Sequence, residues 1–170
     1  MSIVSTNIPY SSSIFYRNLQ DLLKTYPFLK SQTIGYSVLG KPIRVITVGT
    51  GKREVFYNAA FHANEWITSP VLMKFIEDIS NAYVSDSRLF GYSIRELLDE
   101  VTIHLCPMVN LDGVDLVTGF LPSTSSAYIS AREIASSYPD IPFVDGWKAN
   151  INGVDLNLQF PARMAKRKRN

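Results

Sequence analysis

The chain has 170 residues, 46% hydrophobic and 19% charged, the balance of one globular domain with a sizeable core. No apolar stretch is long enough for a membrane-spanning helix. The opening residues, MSIVSTNIPYSSS, lack a basic region followed by an apolar core, so no secretory signal is read and a cytoplasmic location is expected. The net charge of +2 hides an asymmetry. Five cations (Arg163, Lys166, Arg167, Lys168 and Arg169) fall in the last eight residues, and the rest of the chain carries −3. An acidic body argues against nucleic acid or a membrane surface as partner, and the short aromatic-free tail at 163–170 reads as a solvated terminus. The single cysteine, Cys106, lies in an apolar run and reads as a small core residue.

Residues 12–26 predict an amphipathic helix. Ser11 or Ser12 caps it, Phe15, Leu19, Leu22, Leu23 and Tyr26 share one face, and Pro27 follows. Residues 32–39 and 42–49 predict two strands joined by a turn at Gly40 and Lys41. EVFYNAAF, 54–61, predicts a buried strand, and 66–84 a helix. Residues 88–99 predict a weaker helix broken near Gly91, and VTIHLCPMV, 101–109, a buried strand. NLDGVD, 110–115, reads as a turn on its Asn, Asp and Gly content. A polar loop follows at 119–130, then a short helix at 130–138 and an irregular stretch, YPDIPFVDGW. GVDLNLQF, 153–160, predicts a short strand running into a loop. Helices alternating with strands, the first pair a hairpin, imply an α/β domain with a mixed sheet. Ligands in such domains bind beyond the carboxyl ends of the strands. His62 to Glu65, Asn110 to Gly113 and Asp155 to Gln159 all fall at such ends.

His62 and Glu65 are three apart at the exit of a predicted strand, in NAAFHANEWITSP. Zinc takes nitrogen, sulfur and oxygen donors, and a tight loop or first helical turn presents both side chains to one side. By itself the pair is a weak metal signal and reads first as a helix start, with Glu65 favoured at the dipole's positive end.

FHANEWIT, PMVNLDG and GVDLN, in that order, resemble the zinc carboxypeptidase family. That family carries a His-x-x-Glu pair, an Asn-x-Asp-Gly turn and a Gly-Val-Asp-x-Asn segment. IGYSVLGKPIRVITVG is similar to its early hairpin. The resemblance implies an α/β, mixed-sheet zinc-carboxypeptidase-like fold, truncated before its C-terminal part. It implies a Zn2+ cofactor with His62 and Glu65 as the first two ligands, and Asn157 as a substrate-carboxylate contact. Asn110, Asp112, Gly113 and Asp155 take structural places. Three positions depart from the carboxylate-binding members. Leu158 stands where an arginine follows the asparagine, Asn152 stands where an electrophilic arginine is often found, and Asn64 lies between the two ligands where animal digestive members carry arginine. Leucine cannot replace arginine's bidentate fork. WKANINGVDLNLQFPA looks like a narrower branch, the bacterial γ-D-glutamyl-L-diamino acid endopeptidases. The implied substrate is then a peptide, the stem peptide of the cell wall.

The family's third ligand, a histidine, and its glutamate base lie later than residue 170. The other histidine, His104, sits in a strand before the Asn-x-Asp-Gly segment, away from the ligand position. The expectation is therefore an N-terminal portion of a zinc peptidase domain over 1–162 and a basic tail over 163–170. Alone, it is expected to be inactive and prone to self-association. The alternative is a non-catalytic remnant that binds peptide or carboxylate through Asn157.

Overall fold

The computed structural model describes residues 2–160. The basic tail, 163–170, lies outside the described residues. Helix α1, Ser12–Thr25, starts where Ser11 Oγ accepts the Ile14 amide, and it buries Ile14, Phe15, Leu19 and Leu22. Strands β1, Lys30–Tyr36, and β2, Pro42–Val48, pair antiparallel with a register shift between Thr33 and Gly35. Their connection is longer than the predicted two-residue turn. The Leu39 amide donates to the Asp112 carboxylate at 2.9 Å, so residues 37–41 leave the ladder and face the body of the protein. Gly40 takes φ +79° in this loop.

Strand β3, Arg53–Asn58, corrects one expectation: every residue of it is exposed. Among the described residues the sheet order is β1-β2-β6-β3, with β6 at Val101–Cys106, so β3 lies at the edge and pairs with β6. Its apolar residues belong to a sheet margin with no second neighbour among the described residues. Strand β6 is central, antiparallel to β2 and parallel to β3. It stops at Cys106 rather than 109 because Pro107 has no amide to donate. Burial pushes the Cys106 thiol up to about 11, which suits an inert core residue.

Helix α2, Thr68–Val84, buries Met73, Ile76 and Ile79. It also buries Glu77, whose carboxylate accepts the Ile3 amide at 2.7 Å, the Val4 amide at 3.2 Å and the Ser2 hydroxyl at 2.8 Å. The broken helix predicted at 88–99 is a small hairpin and a helix. Strands β4, Arg88–Leu89, and β5, Tyr92–Ser93, turn through Phe90 and Gly91, both at positive φ. Ser93 then caps α3, Ile94–Glu100. NLDGVD is a helix start, not a turn. Asn110 caps α4, Leu111–Val117, by accepting the Gly113 amide. Helix α5, Ser126–Ala135, begins four residues earlier than predicted because Ser125 caps it. The strand predicted at 153–160 is absent there. Asp155 caps a single 3-10 turn, Leu156–Leu158, and this local bond displaces the extended form.

A large core joins α1, α2, α3, β2 and β6. A second, smaller core of Ala63, Leu116, Ala131, Trp147 and Ile151 lies under the segment that carries His62 and Glu65. No helix among the described residues is long and apolar enough to cross a membrane.

Candidate metal centre

Chain leaving β3 reaches His62 through Ala59, Ala60 and Phe61. Ala60 takes φ +48°, a region that costs a residue with a Cβ about 1–2 kcal/mol. Its surroundings hold it there. The Asn110 amide donates to Ala60 O at 3.0 Å, and the Ala60 amide donates to Thr68 Oγ1 at 2.8 Å. The Thr68 hydroxyl donates in turn to Glu65 O at 2.8 Å, closing the loop across its base. Ala63–Glu65 forms one 3-10 turn, with the Glu65 amide donating to His62 O at 3.2 Å.

This turn is anchored from below. The Ala63 amide donates to Lys148 O at 3.1 Å and the Asn64 amide to Trp147 O at 3.2 Å. The Asn110 carboxamide, 3% exposed, donates to Ala149 O at 3.0 Å and Phe61 O at 3.4 Å. One side chain thus caps α4 with its oxygen and ties two loops with its nitrogen. Gly113 leaves room for it. A Cβ at 113 would stand 2.6 Å from Asn110 Oδ1 and 2.8 Å from Ala63 Cβ.

His62 Nδ1 lies 3.1 Å from Glu65 Oε1, and His62 Nε2 lies 3.4 Å from Asp155 Oδ1. The imidazole, 18% exposed, sits between two carboxylates. No hydrogen bond is aligned on Nε2 among the described residues. The donor chemistry fits zinc. A nitrogen and an oxygen converge at one point, and a carboxylate behind the second ring nitrogen orients the ring. Among the described residues no group of three or more His, Cys, Asp or Glu is placed to hold a metal.

The sequence-predicted residues divide. His62 and Glu65 come together. Asn157 sits two residues beyond Asp155, exposed, with its backbone amide on Asp155 Oδ1 at 2.9 Å. Its side chain makes no hydrogen bond among the described residues. Asp112 is 2% exposed and pairs with Lys41 at 3.1 Å, so it belongs to the core beneath. His104 is bound into the sheet, with Nδ1 3.0 Å from Thr47 Oγ1 and Nε2 3.7 Å from Glu54 Oε2. Sequence reasoning treated Asp155 as structural and missed that it faces His62. It also missed the Asn110 clamp and the Trp147–Lys148 carbonyls under the turn.

The family model described as zinc carboxypeptidase matches residues 15–170. The chain belongs to the zinc carboxypeptidase family. It is 43% identical over 154 residues to γ-D-glutamyl-L-diamino acid endopeptidase 1 of Lysinibacillus sphaericus, covering 91% of this chain and 38% of that protein. It is 39% identical over 157 residues to the uncharacterised protein YqgT of Bacillus subtilis strain 168, covering 90% and 40%. Among solved structures it is similar to bovine thrombin-activatable fibrinolysis inhibitor in complex with tick carboxypeptidase inhibitor. The TM-score is 0.57 at 20% identity, covering 85% of this chain and 38% of that one, which shows the shared fold. The chain spans about two fifths of the length of these relatives.

Proposed function

We propose that the protein serves zinc-dependent hydrolysis of the γ-D-glutamyl-L-diamino acid amide in cell-wall stem peptides. The observation that carries this reading is the convergence of His62 Nδ1 and Glu65 Oε1, 3.1 Å apart, with Asp155 behind the ring. The similarity to the Lysinibacillus endopeptidase supports the substrate class. Bound zinc would polarise the amide carbonyl and acidify a water. His62 and Glu65 would hold the ion. Asp155 would keep the imidazole in the orientation that leaves Nδ1 to the metal.

The same reading holds that this chain alone does not turn substrate over. A catalytic zinc takes three protein ligands, and the water needs a base. The described residues bring two ligands together.

The test is equilibrium binding of L-alanyl-γ-D-glutamyl-L-lysine with and without zinc, with the peptide followed by mass spectrometry. The reading expects binding that strengthens with zinc, weakens in His62→Ala and leaves the peptide intact. Binding indifferent to zinc would favour a carboxylate-binding module instead. Cleavage that disappears in His62→Ala would contradict the inactivity of the isolated chain.

A further inference from the structure

Beside the half-site lies a cavity of about 620 Å³. It shares Asn64 and Asp155 with the site itself, which puts it within reach of a substrate held at His62 and Glu65. Phe143 and Trp147 give it apolar walls, and among the described lining residues Lys148 supplies the only positive charge, against Asp140 and Asp155. The Lys148 backbone is fixed to the metal turn, because its carbonyl accepts the Ala63 amide at 3.1 Å. Its side chain is exposed, and no carboxylate among the described residues pairs with it. Asp155 is already committed to His62 and to the Asn157 amide.

An amide made through a glutamyl γ-carboxyl differs from an ordinary peptide in one charge. Two methylenes from the scissile carbonyl, the α-carbon carries a free carboxylate. An ordinary peptide has no anion there. We infer that this cavity is the subsite for the γ-glutamyl residue and that Lys148 reads its free α-carboxylate. The inference rests on the substrate class proposed above and adds a residue that determines specificity on the acyl side. It also accounts for a chain with Leu158 where carboxylate-binding members carry an arginine. The distinguishing carboxylate is on the other side of the scissile bond from a peptide's C-terminus, so a cation is needed at a different place.

The experiment is calorimetric titration, in excess zinc, with L-alanyl-γ-D-glutamyl-L-lysine and with the same peptide carrying its glutamyl α-carboxyl as an amide. A charged contact at an exposed lysine predicts that the free acid binds about fivefold tighter. Lys148→Met brings the two peptides to within about twofold, and Lys148→Arg restores the preference, while zinc titrations stay unchanged in both variants. Equal affinity for the two peptides in the unaltered chain overturns the assignment. So does a Lys148→Met variant that keeps the preference. Failure of both peptides to bind also overturns it, and the zinc titration then judges the metal reading separately.

Discussion

Asp115→Ala separates a buried ion pair from the exposed kind. The Asp115 side chain is 9% exposed and accepts from the Ser12 amide at 2.7 Å, the Ser12 hydroxyl and Lys41 Nζ at 2.7 Å. It thereby fixes the start of α1, the β1–β2 loop and α4 to one another. Burial alone would lower the Lys41 ammonium, but Asp115 and then Asp112 outweigh it, and the net shift is upward. Removing one partner of a buried pair costs about 3–5 kcal/mol. Lys41 keeps 26% of its side chain in water and retains Asp112 at 3.1 Å, which points to the lower end, about 3 kcal/mol. With a urea dependence of about 2 kcal/mol per molar, the midpoint falls by about 1.5 M. Urea unfolding followed by tryptophan fluorescence reads this directly. Glu100→Ala is the control, since Arg53 and Glu100 are 74% and 66% exposed and their pair should leave the midpoint unmoved. A midpoint shift in Asp115→Ala no larger than in Glu100→Ala would show that the buried pair adds no more stability than the exposed one.

Burial would raise the Glu77 carboxyl, but the Ile3 amide, the Ser2 hydroxyl, Lys74 and the Val4 amide outweigh it, and its pKa is lowered. Its contribution is therefore present above the usual glutamate range and lost as pH falls through the lowered value. Glu77→Gln should destabilise at pH 7 and lose less further stability below about pH 4, as urea midpoints across pH would show. Gly113→Ala places a methyl against Asn110 and Ala63 and should cost about 1–3 kcal/mol, with weaker zinc binding; an unchanged urea midpoint would contradict the close approach. Phe56→Lys, on the exposed margin of β3, should shift sedimentation toward monomer if that edge drives self-association.

Helices were legible where capping and spacing agreed. Phe15, Leu19 and Leu22 fall on one face, and Ser11 stands before them. EVFYNAAF reads as a buried strand, yet among the described residues β3 has β6 as its one neighbour. Only the number of neighbours decides, and that is not a local property. NLDGVD was misread because Asn110 serves helix caps and turns by the same carboxamide bond. In the site, His62 and Glu65 were legible because three residues of chain bring them together. Asp155 comes from 93 positions beyond His62. No spacing predicts that approach; family resemblance singled out its segment without revealing the contact.

The proposed zinc ligands are His62 and Glu65. Zinc titration of the purified chain beside His62→Ala and Glu65→Gln puts this to the test, with inductively coupled plasma analysis giving the stoichiometry. One zinc per chain at saturation is expected, with loss of that binding in His62→Ala, weakening in Glu65→Gln, and unchanged far-ultraviolet circular dichroism in both variants. Zinc uptake that is the same in the unaltered chain and in His62→Ala would contradict it.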